Sequence, residues 1–188
     1  MDADRTRSAG EDLEFVRRAL ARESRAPFPR SIALLWAGIA LVGFPLLDFA
    51  REWAPPFWSL AGPVGFGISL WLGGRSARAA GLEDRTEAAR WSAHWLGLVI
   101  AIGLVVVAAI AGRLDWETTG STILLLLATT YYGAGVHLHR GLLPVAALLA
   151  AGYLLVLFLD GKVWTWIGVA TAAALVASSL VPARTRRA

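Results

Sequence analysis

The chain has 188 residues, 56% of them hydrophobic and 17% charged, with no cysteine and a formal charge of +4; its mean hydropathy is +0.56. A soluble domain carries about 25% charged residues. Here the charges gather at the edges of apolar runs of roughly 18–20 residues, the length that crosses a bilayer. These figures exclude a soluble globular enzyme, a secreted disulfide scaffold and a disordered chain, and they predict a small polytopic membrane protein.

Residues 1–30 are charged throughout, so no short cleavable leader is expected. Ser8-Ala9-Gly10-Glu11 has the spacing of a capping box and is followed by acid at Asp12 and Glu14, which suits the first turn of a helix. Leu13, Val16 and Leu20 then recur at i, i+3 and i+7, while Arg17, Arg18, Arg22 and Arg25 gather behind them. This pattern predicts a short cytoplasmic amphipathic helix that Pro27-Phe28-Pro29 terminates. Its candidate contacts with lipid or with a partner protein are Leu13, Val16, Arg17, Arg18, Leu20 and Arg22.

Six apolar segments follow: Ser31–Phe49, Phe57–Leu72, Ser92–Gly112, Gly120–Leu138, Leu142–Leu159 and Val163–Val181. Each is expected to be helical, because hydrocarbon offers no partner to an open strand edge. The second is the weakest, since it follows Pro55-Pro56 and contains Gly62, Pro63, Gly65 and Gly67. The basic residues argue for keeping it. Seven arginines precede the first span, four (Arg75, Arg78, Arg85, Arg90) lie in the second connection, Arg140 lies in the fourth and three lie in the tail. Against these fifteen, the remaining connections hold one each: Arg51, Arg113 and Lys162. Deleting the second span would leave nine on each side. The bias of basic residues toward the cytoplasmic side therefore predicts six spans with both ends cytoplasmic.

The expected organisation is a cytoplasmic segment at 1–30, a six-helix transmembrane domain at 31–181 and a basic tail at 182–188. Trp53, Trp58, Trp116, Trp164 and Trp166 are expected at the outer interface and Trp91 and Trp95 at the inner one, depths that suit an indole ring. The connection Gly73–Trp91 reads as a solvated helical turn, with Glu87 and Arg90 three apart. Short outer turns at Asp115 and Asp160 make spans three and four, and five and six, antiparallel neighbours.

The segment Asp12-Leu13-Glu14-Phe15-Val16-Arg17-Arg18, together with Tyr132-Gly133-Ala134-Gly135-Val136 followed by Arg140 and Pro144, resembles a family of uncharacterised small bacterial integral membrane proteins. The resemblance covers most of the chain. It implies a six-span topology and bacterial inner-membrane location, and it implies no mechanism.

The chain carries no His-Glu-x-x-His metalloprotease helix, no paired intramembrane aspartates and no Walker-type loop, so no enzymatic activity, metal or cofactor is expected. Asp48 is the sole carboxylate within the six segments, and an ion pair with Arg51 is expected to accompany it. Ionisable groups at mid-membrane usually mark ion paths, and none lies there. The fourth segment does concentrate polarity: Thr129, Thr130, Tyr131 and Tyr132 form a candidate polar path or packing cluster, with Thr171 of the sixth as a bonding partner. His94, His137, His139 and Arg140 form a candidate cytoplasmic-face cluster, although His137 and His139 point about 200° apart on a straight helix. Small residues four apart at Ala147/Ala151, Gly168/Ala172 and Ala173/Ala177 suit bundle packing or a homo-oligomer face. The leading functional expectation is a non-enzymatic accessory or regulatory membrane component that engages a protein partner through its cytoplasmic helix. A small transporter or channel for a neutral or weakly polar solute is the alternative. Nucleic acid is not expected, because the basic residues flank apolar runs instead of forming a face of their own.

Overall fold

The computed structural model describes residues 29–79 and 85–180. Among them the protein is all-α, with six helices: α1 (Arg30–Phe49), α2 (Ala54–Ala79), α3 (Arg85–Ile110), α4 (Trp116–His137), α5 (Leu143–Phe158) and α6 (Val163–Leu180). Two 3-10 turns, Arg51–Trp53 and Arg140–Leu142, lead into α2 and α5. The N-terminal segment with Leu13, Val16, Arg17, Arg18, Leu20 and Arg22, and the basic tail, lie outside the described residues.

Four stretches are long and apolar enough to cross a membrane: Arg30–Phe49, Ala89–Ile110, Arg140–Phe158 and Val163–Leu180. α2 and α4 are long helices too, but Gly, Pro and Ser in the first and Thr, Ser and Tyr in the second dilute their apolar character. α2 is also longer than the sequence suggests. It takes in Pro55 and Pro56 at its start and runs past Leu72 to Ala79, because proline is tolerated in a first turn whose N–H groups have no helical partner.

Chain ends and turns follow from local chemistry. α3 stops in a Schellman motif: Arg113 N donates to Ala108 O and Gly112 N to Ala109 O, each at 2.9 Å. Gly112 takes φ +69° there, a left-handed conformation that glycine adopts without a Cβ penalty. Asp115 then caps α4, its Oδ1 accepting from Glu117 N at 3.0 Å and Thr118 N at 2.8 Å.

The closest helix pair is α1 with α6, the first and last of the six; α6 packs on α5, α5 on α4, α4 on α3, and α1 on α2. α1, α4, α5 and α6 supply most of the buried core, and α2 and α3 flank it through α1 and α4. The α1–α6 contact is built from small residues. Ala33, Ala37 and Ala40 are buried on α1, and Gly168, Thr171, Ala172, Ser178 and Ser179 are buried on α6. A Cβ on Gly168 would stand 2.6 Å from Phe44 Cβ and 3.1 Å from Ala40 O. Glycine therefore sets how closely the two backbones approach, which is how helices associate where water does not drive apolar groups together. Of the three expected small-residue pairs, only Gly168/Ala172 is used inside the bundle; Ala147, Ala151, Ala173 and Ala177 are exposed.

The outward surfaces are apolar. Leu60 is 69% exposed, Leu104 66% and Ile110 74%, the reverse of the water-facing pattern of a soluble bundle.

Candidate functional site

Two clusters of polar and aromatic side chains join helices of the bundle's core. The first lies between α3 and α4. His94 Nε2 is 3.0 Å from Thr130 O. A carbonyl oxygen only accepts, so Nε2 carries the proton and donates. Its ring edge sits 3.3 Å from the position a Cβ would take on Gly133, so this glycine makes the notch that admits the imidazole. Trp95, beside it, stands edge-on to His94 (5.5 Å between centroids) and to Tyr131 (5.1 Å). Tyr131 is buried.

The second place is where α1 ends and α6 begins. Asp48 Oδ2 accepts from Thr165 N at 2.7 Å and from Thr165 Oγ1 at 2.6 Å. Asp48 is thus tied to the N-terminus of α6 across the bundle, and the expected ion pair with Arg51 is not what holds it. The N–H groups of a helix start have no partner within the helix, and the aligned peptide dipoles favour an anion there. Beneath this contact, Phe44 stacks on Trp164 (6.1 Å, 27°) and meets Trp58 edge-on (5.6 Å, 80°). A Cβ on Gly120 of α4 would stand 3.4 Å from the Trp164 ring. Trp164, 8% exposed, is therefore packed inside the bundle, and half-buried Trp58 packs against the core from α2. Trp53, Trp116 and Trp166 are exposed.

The polar candidates of the fourth segment do not share a face. Thr129 and Tyr132 are exposed, Thr130 is half-buried and Tyr131 is buried. Thr129 Oγ1 donates to Leu125 O and Leu126 O of its own helix, each at 3.0 Å. Thr171 is buried and its hydroxyl has no hydrogen-bond partner; the expected bond from Thr129 or Thr130 to Thr171 is not made. α4 packs chiefly on α3 and α5, and α6 on α1 and α5.

The histidines are likewise dispersed. His94 is committed to α4, and His137 is exposed, as is Arg140. His139 turns back on its own chain, Nδ1 accepting from Gly141 N at 3.1 Å. No group of three or more metal-ligating side chains occurs among the described residues. Burial lowers the His139 imidazole below its ordinary pKa. Asp115, at the start of α4, is held below the usual carboxylate range, first by the Thr118 N–H and then by the Thr118 hydroxyl.

Sequence reasoning missed three linking residues: Trp36, Ser69 and Thr165. Trp36 Nε1 donates to Ser69 Oγ at 2.9 Å, and Ser69 donates to Gly65 O at 2.8 Å. This is the polar tie between α1 and α2. Its sequence signal is a serine set among the apolar neighbours Ile68, Leu70 and Trp71.

Fold and composition together define an all-α membrane protein in which His94, the Trp36–Ser69 pair and the Asp48–Thr165 pair each join two helices. No protein-family model, no curated protein and no solved structure matches the chain.

Proposed function

We propose that this is a six-span protein of a bacterial inner membrane, both ends cytoplasmic, acting as a non-enzymatic accessory or regulatory component that engages a protein partner through its cytoplasmic helix. The observation that carries the reading is the use to which the bundle's polar groups are put. His94, Trp36 with Ser69, and Asp48 with Thr165 each join two helices, so these polar side chains serve packing. Six long helices joined end to end also suit six spans. The distribution of arginines favours the cytoplasmic placement of both ends, and the resemblance drawn from Asp12–Arg18 and Tyr132–Val136 points the same way.

The test is a mild-detergent pull-down of the tagged protein at native expression level, full length against a version lacking residues 1–26. A stoichiometric partner present with the full chain and lost on truncation is the expected result. Recovery of the same lone species from both, with insertion intact, would overturn the accessory reading.

A further inference from the structure

α2 turns one side to α1 and leaves another side uncovered. Trp58, Gly65 and Ser69 face α1. Leu60, Val64, Ile68, Trp71, Arg75 and Arg78 are exposed, and at 100° per residue they fall within an arc of about 80°. The stripe changes character along its length. From Leu60 to Trp71 it is apolar for about 16 Å at 1.5 Å per residue, close to the ~15 Å depth of one leaflet's hydrocarbon. Trp71 ends that stretch, and the Arg75 guanidinium lies over its ring at 5.7 Å. One turn on, Arg78 Nε donates to Gly74 O at 3.2 Å, so its two terminal nitrogens are the donors that remain for a ligand. Two guanidiniums three residues apart, one braced by an indole and one by the backbone, match the oxygens of a phosphate.

We propose that this stripe of α2 binds one anionic phospholipid, its acyl chain along Leu60, Val64 and Ile68, its glycerol level at Trp71 and its phosphate between Arg75 and Arg78. The proposal rests on α2 spanning the membrane with Arg75 and Arg78 on the cytoplasmic side. Charge complementarity selects the occupant: a zwitterionic lipid fits the apolar part equally well but gains less from the two arginines. Holding them near a phosphate on one helix face sets this stripe apart from basic residues scattered at a membrane surface.

The experiment is native mass spectrometry of the full chain released from mixed phosphatidylglycerol and phosphatidylcholine nanodiscs. The expected result is one retained phosphatidylglycerol, favoured over phosphatidylcholine by at least about fivefold, the factor that one basic residue near an anionic surface supplies (~1 kcal/mol). The preference should vanish in Arg75→Gln/Arg78→Gln, persist in Arg75→Lys/Arg78→Lys, and persist in Arg113→Gln/Lys162→Gln at the opposite end. Equal retention of both lipids by the wild type, or an unchanged preference in the double glutamine variant, would overturn the lipid site. So would displacement of the lipid by millimolar inorganic phosphate, which would assign the arginines to free anion. The chain has no cysteine, and a Cβ at Gly74 meets open space, so Gly74→Cys reports topology separately. Labelling by an impermeant maleimide from the cytoplasmic side alone is expected. Labelling from the outer side would refute the six-span orientation and the lipid site with it, whereas cytoplasmic labelling without lipid preference would refute the lipid site alone.

Discussion

His94 on α3 donates through Nε2 to the main-chain oxygen of Thr130 on α4, and α4 is the helix on which α3 principally packs. A directional contact set into the Gly133 notch therefore holds the flanking helix, with Trp95 packed edge-on to Tyr131 beside it. Replacing His94 with Ala should loosen α3. The hydrogen bond alone should account for about 0.6 kcal/mol, and at most about 1.7, in a membrane setting. Thermal unfolding in detergent, with His94→Gln retaining more stability than His94→Ala, checks this. Equal stability of wild type and His94→Ala would show that the contact is incidental.

Gly168 should tolerate no side chain. The position of its missing Cβ is occupied by Phe44, with the Ala40 carbonyl close by, and a backbone atom does not yield as the end of a flexible side chain does. Gly168→Ala is expected to cost about 1–3 kcal/mol through overpacking. Gly38→Ala, where a Cβ meets nothing within 4 Å, should change stability by no more than about 0.5 kcal/mol. The two midpoints, measured side by side, separate a packing constraint from a general intolerance of alanine.

Removing the Asp48 carboxylate takes away both bonds to Thr165, one of them to a helix-start N–H. Asp48→Ala should cost about 0.5–2 kcal/mol, the range for losing an N-terminal helix cap. Asp48→Asn, which keeps an acceptor oxygen, should cost less. Thr165→Val removes the hydroxyl bond but leaves the main-chain bond, and should fall between wild type and Asp48→Ala. A loss from Thr165→Val as large as that from Asp48→Ala would contradict this ordering.

Two groups outside the helical spans predict how stability responds to acid. His139 has a folded pKa lowered by burial, so its neutral form is favoured in the native state. Its contribution is present in full above the unfolded value of about 6.5 and is lost as pH falls through the lowered folded value. Asp115 is lowered as well, so its contribution holds above about pH 4 and declines only in stronger acid. The expected pH profile declines first through His139, a step absent in His139→Gln, and the further loss in stronger acid should be smaller in Asp115→Asn. A flat profile between pH 7 and pH 5 in the wild type would remove the first claim.

Membrane character and the helical segments were legible in composition and spacing, because bilayer thickness and the need to pair every backbone group act on each segment separately. Even the weak second segment emerged as a helix, since Pro55 and Pro56 fall where a helix start has no hydrogen bonds to lose. The turn at Gly112 and the cap at Asp115 were equally local, each set by residues within a few positions of the turn.

Partner choice was not local. That Asp48 would meet Thr165, 117 residues away, and not Arg51, depends on α6 docking against α1. Nothing within either segment encodes that neighbour beyond a stripe of small residues. The same docking buried Trp164 within the bundle, and with α4 packed chiefly on α3 and α5 and α6 on α1 and α5, the hydroxyl of Thr171 finds no partner. Apolar length and local caps are properties of single segments, and the sequence by itself determines them. The pairing of helices, and with it the role of each polar side chain, depends on how small-residue grooves and bulky rings from distant segments fit together, and only the tertiary structure decided it.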